Sequence, residues 1–203
     1  FNMGTPTRFP GGITTAFPTA NLNNYGMLDP TKWITFFDDL LNPAAALGTF
    51  TAVDGLGGLV TIATTNVIDT PKAGFVPTSS KVLLFKAKAS TPTVATVGII
   101  AGIADVISSA AAKGITISIM NNVLTLTNEY AGTTDTATVA YGINEQFTFG
   151  FEYRSDEGII AYFNDVAVAT LPAPTFDITA LLAGLYADGG TITADYIFAA
   201  QER

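Results

Sequence analysis

The chain of 203 residues has no cysteine and no histidine. The first absence removes disulfides, thiol nucleophiles and thiolate metal sites. The second removes the base of a catalytic triad and the commonest zinc ligand. Charge is scarce too: only 13% of residues are charged, against ~25% in an ordinary soluble domain. Nine basic residues stand against seventeen acidic ones, for a net charge of −8. The basic ones are scattered apart from Lys81, Lys86 and Lys88, which read as a solvated strand face. Phosphate-backbone binding needs clustered Lys and Arg, so no nucleic acid partner is expected. Long apolar runs are missing as well. The longest candidate, residues 94–112, is broken by Gly98, Gly102, Asp105, Ser108 and Ser109, short of the ~18 unbroken residues of a bilayer span. No membrane partner is expected. Residues 1–20 lack a basic stretch leading into an apolar one, so no leader peptide is expected.

What is there is apolar and β-forming. Hydrophobic residues make up 48% and the mean hydropathy is +0.39. A surface with so little charge favours self-association through large buried interfaces; an ordinary β protein rich in Thr and Ala is the alternative reading. The organising stretch is residues 146–171, QFTFGFEYRSDEGIIAYFNDVAVATL, which reads as three antiparallel strands. Phe147, Phe149, Phe151 and Tyr153 alternate with Thr148, Gly150 and Glu152. Residues 155–158, Ser-Asp-Glu-Gly, supply a turn, and Asn164-Asp165 suits the left-handed positions of a type I′ hairpin. That loop sets Phe163 opposite Val166 and Ala161 opposite Val168, and lays Phe151 and Tyr153 near Tyr162 and Ile160. Both faces carry apolar groups, so both are expected to be covered.

Residues 1–28, rich in Pro, Gly, Thr and Asn, read as an extended N-terminal arm, with residues 29–203 as a β-sandwich domain. Phe1, Phe9, Phe17 and Tyr25 recur every eight residues. They are candidate interface anchors, docking on a neighbouring subunit or wrapping around their own domain. Asp29-Pro30 is a helix-start signal, Trp33, Phe37 and Leu40 follow at helical spacing, and Asn42-Pro43 is a stop. This predicts a helix with Asp38 and Asp39 near its C-terminus. Strands are expected at 48–53, 59–63, 81–89, 96–104, 114–120, 123–128, 135–141 and 191–199, besides the three above. Asn121-Asn122 is a second hairpin signal. Residues 181–185 are open to a second short helix, and residues 107–113 to a helical turn or a loop. The sum is an all-β, antiparallel β-sandwich or jelly roll with one or two short helices.

Without His or Cys, catalysis would rest on Asp and Glu, as in glycosidases. The nearest fragment, Glu152-Tyr153-Arg154-Ser155-Asp156-Glu157, runs into a turn, so the chain is expected not to be an enzyme. Asp54, Asp105, Asp135, Asp156 and Asp188 fall in loops without calcium-loop spacing; turn formation explains them, and no metal or cofactor is expected. No phosphate loop, dinucleotide fingerprint or serine-nucleophile motif is present. Tyr130, Tyr141, Tyr153 and Tyr162 are candidates for stacking on sugar rings from a concave sheet face, or for packing in the core.

Three stretches carry a resemblance: FPGGITTAFPTANLNNYGMLDPTKWITFFDDLLNP (9–43), FGFEYRSDEGIIAYFNDVAVATL (149–171) and TITADYIFAAQER (191–203). Together they resemble a family of tailed-phage virion proteins with a concanavalin A-like jelly roll. The resemblance implies that fold and a non-enzymatic structural role, as a capsid decoration or cement protein stabilising the head shell. It implies the major capsid protein and copies of itself, in a homo-oligomer, as partners, and the virion surface as location after synthesis in the host cytoplasm. The alternative is a carbohydrate-binding, lectin-like adsorption or fibre module, for which these stretches carry no sugar- or metal-binding loop signature.

Overall fold

The computed structural model describes residues 32–38, 40, 46–47, 50–52, 59–70, 74–91, 96–109, 113–142, 144–177 and 179–203, with the backbone alone at 38, 46–47 and 50–52. Fifteen strands follow one another: β1 (Trp33–Asp38), β2 (Ala46–Leu47), β3 (Phe50–Ala52), β4 (Val60–Ile62), β5 (Val67–Asp69), β6 (Leu83–Ser90), β7 (Gly98–Ala104), β8 (Gly114–Met120), β9 (Val123–Asn128), β10 (Thr133–Thr138), β11 (Phe147–Arg154), β12 (Gly158–Phe163), β13 (Val166–Leu171), β14 (Leu182–Asp188) and β15 (Ile192–Glu202). Turn chemistry sets the hairpins. Asn121 and Asn122 have φ of 50° and 62°, and Asn164 and Asp165 have 45° and 70°. Left-handed backbone at both positions is what a type I′ turn requires, and Asn and Asp tolerate it.

The strands form two antiparallel sheets. One has eight strands in the order β13-β12-β11-β6-β15-β4-β3, with β1 also on β15; the other runs β10-β9-β8-β7-β14-β5-β2. The sheets meet over a single core. The eight-stranded sheet contributes rings, Phe85, Phe147, Phe149, Phe151 and Tyr153, and the other answers with branched aliphatics, Ile99, Ile103, Ile117, Ile119 and Leu126. Phe85 and Phe151 stack at 5.7 Å across β6 and β11. Each such buried side chain stabilises the fold by about 1.5–3 kcal/mol relative to leaving it in water. Strand β15 is the spine: its whole length runs beside β6, its start pairs with β4 and its end with β1. One residue of it, Asp195, falls in a bulge between Ala194 and Tyr196.

Four expectations are corrected. The stretch expected as a helix over residues 29–42 contains a strand, β1, paired with β15 from Trp33↔Glu202 to Asp38↔Ile197. The sequence WITFFD satisfies both periods, because Ile34 and Phe36 form an apolar set alternating with Trp33 and Phe37; the free edge of β15 decides between them. Residues 181–185, open to a second helix, lie mostly in β14, held between β7 and β5. No helix occurs among the described residues. Phe163 does face Val166, but a bulge sets Ala161 opposite Ala169 rather than Val168. Phe151 and Tyr153 face Ala161 and Ile159, not Tyr162 and Ile160, which pair with Gly150 and Glu152 instead. Of residues 107–113, those described are loop.

The sandwich closes one side with a side chain. Strands β10 and β13 are end strands of different sheets. Asp135 on β10 accepts from the Thr170 backbone N–H at 2.9 Å with Oδ2, and from the Thr136 N–H at 2.9 Å with Oδ1. An edge N–H that would otherwise invite another strand is thereby occupied. Asp135→Ala is expected to lower stability by only about 1 kcal/mol, since the bond is exposed. It should speed amide exchange at Thr170 and promote concentration-dependent association; unchanged exchange at Thr170 would contradict this role.

Candidate functional site

Alternate residues of β1, β6, β11, β12 and β15 point away from the core and form the outer face of the eight-stranded sheet. Cross-strand register arranges them in rows. One row runs Tyr162, Gly150, Lys86, Phe198, Phe37, and the next runs Ile160, Glu152, Leu84, Ala200, Thr35. Lys86 and Lys88, two apart on β6, share this face and splay in opposite directions. Lys86 passes over β11 beside Gly150 to reach Asp165 in the β12–β13 turn, Nζ to Oδ1 at 3.0 Å. Lys88 turns to Asp195 on β15, at 2.8 Å. Thr148 donates its hydroxyl to the same Asp165 oxygen at 3.4 Å. The expectation that these lysines form a solvated face is wrong for Lys86, which is 5% exposed. Its partner sits 79 residues along the chain, so spacing could not show the pairing.

The glycosidase-like acids end up tied rather than poised. Arg154 Nε donates to Glu152 Oε1 at 2.6 Å and its Nη1 to Glu157 Oε1 at 3.4 Å. Glu152 is 2% exposed, on the strand, while Glu157 is exposed in the turn. One guanidinium thus neutralises both carboxylates, the reverse of the separated acid and base that glycoside hydrolysis uses. Among the described residues, no three acidic side chains converge as a metal-ligand group; Asp54 lies outside them.

The four tyrosines do not share a face. Tyr153 is wholly in the core and donates its hydroxyl to Ser79 O at 2.9 Å. Tyr130 and Tyr153 both pack edge-on against Phe176, with centroids at 5.1 and 4.9 Å. Tyr141 leans on Phe147 at 5.0 Å and accepts a hydrogen bond from Asn122 N–H. Only Tyr162 stands on the outer face, half-buried beside Glu152. The proposed anchors Phe1, Phe9, Phe17 and Tyr25 lie outside the described residues. The residues that sequence reasoning missed here are Asp165, Asp195, Tyr196 and Phe198. Two lysines in the otherwise uncharged LLFKAKAS were the available signal that carboxylates must come from elsewhere.

Burial leaves a titration signature. It raises the pKa of Tyr196, with help from the Asp195 and Asp165 charges, and that of Tyr130, with help from the Asp177 and Asp105 charges. Tyr162 is pushed up to about 12, chiefly by burial and then by Glu152. The unfolded chain releases these protons near the ordinary value of 10.0, whereas the fold retains them. The stability they confer is intact below pH 10 and is lost as the pH climbs towards 12. Lys86 opposes this, because burial lowers its pKa, but it is one group against four phenols, since burial raises the pKa of Tyr153 as well. The urea midpoint should therefore drop between pH 10 and 12, less steeply in Tyr162→Phe and Tyr196→Phe. A flat midpoint across that window would contradict the burial of these phenols.

No family model matches the chain, and no curated protein matches it in sequence. Solved structures do match in shape. The carbohydrate recognition domain of Emp47p superposes with a TM-score of 0.61 at 11% identity, over 85% of this chain and 97% of that one. A Shewanella oneidensis MR-1 protein of unknown function gives 0.58 at 12%, over 84% and 87%. Bacillus licheniformis β-glucanase gives 0.53 at 9%, over 81% and 97%. At such identities the likeness carries the fold alone. The chain folds as a concanavalin A-like, all-β antiparallel sandwich.

Proposed function

We propose that this chain is a non-enzymatic structural protein of a tailed-phage virion, which decorates and cements the head shell by binding the major capsid protein and copies of itself. The observation that carries the non-enzymatic half is the outer face of the eight-stranded sheet. Its acids are held by Arg154, Lys86 and Lys88, and Leu84, Phe198 and Ala200 on it are fully buried. Such a face serves packing rather than turnover. The scarcity of charge fits a protein whose surface is shared with neighbours, and the virion context rests on the sequence resemblance over residues 9–43, 149–171 and 191–203. Many modest contacts repeated over a lattice suffice for cementing. The test is to mix purified protein with empty capsids of the candidate phage and to measure its native mass. Capsid binding, with an oligomeric mass, supports the reading; a monomer that ignores capsids removes it.

A second reading is a carbohydrate-binding module for adsorption, favoured by the shape shared with the Emp47p carbohydrate recognition domain. Tyr162 is then the ring to stack on a sugar, as the only one of the four tyrosines on an outer sheet face. Specific glycan-array binding that disappears in Tyr162→Ala would favour it over cementing, and an array without hits would dismiss it.

A further inference from the structure

The closed end of the β9–β10 hairpin gathers buried polar atoms that nothing among the described residues answers. Asn128 Nδ2, Tyr130 Oη and Thr133 Oγ1 are all shut off from solvent and make no hydrogen bond there. Native proteins seldom leave such a group unsatisfied, and here one hairpin holds three. Asn128, 0% exposed, stands directly opposite Thr133 in the ladder between β9 and β10. Opposed residues share a face, and this one is the inner face that Leu124, Leu126 and Ala137 occupy further along the same strands. Their Cβ atoms are about 4.5–5.5 Å apart, yet the amide nitrogen and the hydroxyl do not bond each other. Tyr130 fixes which end of the Asn128 amide is left over. Its backbone N–H donates to Asn128 Oδ1 at 3.2 Å, so a flipped amide would set donor against donor. The group without a partner is therefore a donor, and it requires an acceptor.

We infer that this hairpin end is a binding site for buried water, one molecule of which accepts from Asn128 Nδ2 and donates to Thr133 Oγ1. The ligand's chemistry follows from the residues. A metal cation is ruled out, because Asn128 offers it a donor rather than an oxygen. An anion is disfavoured, because the Asp177 and Asp105 charges act on Tyr130 in the same hairpin. The nearby cation, Lys113, is already engaged by Asp177 at 2.6 Å. A sugar or other organic molecule is too large for atoms so closed to solvent, whereas a single water needs little room and two to four polar partners. Water also both accepts and donates, which an amide facing a hydroxyl demands. Two residues along β10, Asp135 ties the strand to Thr170 on β13. The water would tie the same strand to β9, so that β10 is held from both sides.

This inference rests on neither functional reading, and its test reads water oxygen directly. Oxygen-17 relaxation dispersion of the solvent counts the waters that stay in the full chain for longer than it tumbles; exchanging hydroxyl protons do not contribute. Thr133→Val keeps the shape of the side chain and removes its hydroxyl. It is expected to hold at least one long-lived water fewer per chain than the parent, while Thr133→Ser keeps the parent count. Equal counts in Thr133→Val and parent, or no long-lived water in the parent, would overturn the site. Stability gives a second readout, because its sign differs between a wet and a dry hairpin. With the water present, Thr133→Val strips Asn128 Nδ2 of its acceptor, and the urea midpoint falls. In a dry hairpin the same change removes a buried hydroxyl that nothing satisfies, and the midpoint rises. Thr134→Val, on the exposed face of the same strand, corrects for valine's general preference for strands. A midpoint raised beyond that control would also overturn the proposal.

Discussion

Gly150→Val removes about 4 kcal/mol or more of stability, the exceptional end of what one substitution does. Gly150 sits mid-strand in β11, paired with Lys86 on β6 and Tyr162 on β12. A Cβ at this position would collide with the Phe85 carbonyl oxygen and lie 2.9 Å from Lys86 Cα. Both obstacles are backbone, so no rotamer relieves them. The two central strands must part, and they carry Phe85, Phe149 and Phe151 into the core. The new side chain would also stand beside the path by which Lys86 reaches Asp165. Against a total stability of about 5–15 kcal/mol, the variant is expected to be largely unfolded or to show a urea midpoint lowered in proportion. Thr148→Val, on the same strand and face, is the control and should lose about 1 kcal/mol or less. A Gly150→Val protein with the parent midpoint would show that β11 does not approach β6 as described.

Arg154→Met is expected to lower stability by about 3 kcal/mol, the lower end of what breaking a buried pair does. The Glu152 side chain is 3% exposed and that of Arg154 16%, so the carboxylate left behind cannot regain water. Its neighbour Tyr162 still supplies a hydroxyl, which moderates the loss. One further measurement separates charge from packing. Glu152→Gln in the Arg154→Met background should recover part of the stability. An Arg154→Met protein within about 0.5 kcal/mol of the parent would place the pair among ordinary surface contacts.

How much of this was legible follows from how local each cause is. The Asn-Asn and Asn-Asp hairpins and strands β8 and β9 could be read from the chain because their determinants are adjacent: two residues that accept positive φ between period-two runs. Strand β1 could not, because WITFFD fits a helical and an extended pattern alike, and only the vacant edge of β15, more than 150 residues away, chooses. Strand β14 failed for the same reason, its Leu-rich start reading as helix until β5 and β7 flank it. At the site, the sequence revealed the acids 152 and 157 and the lysines 86 and 88 but not their partners. Asp165 and Asp195 come from strand order, which spacing does not encode. The tyrosines were separated by parity: Tyr153 faces inward on β11 and Tyr162 outward on β12, and a register differing by one residue from the expected one decides which ring is available.

The bulge at Asp195 also determines where this chain can tolerate a change in length. Before it, Ile192 and Ala194 face the core; after it, Ile197 and Ala199 do. Ala194 and Tyr196 nonetheless pair with the consecutive residues Ala89 and Lys88 on β6. The ladder therefore already closes as though residue 195 were not there. Deleting any other interior residue of β15 would turn every side chain between that point and the bulge, or beyond it, to the opposite face. Deleting Asp195 would leave both faces as they are and deprive Lys88 of its carboxylate. In the strand that holds the larger sheet together, the residue that is extra to the pairing is the one kept for its charge.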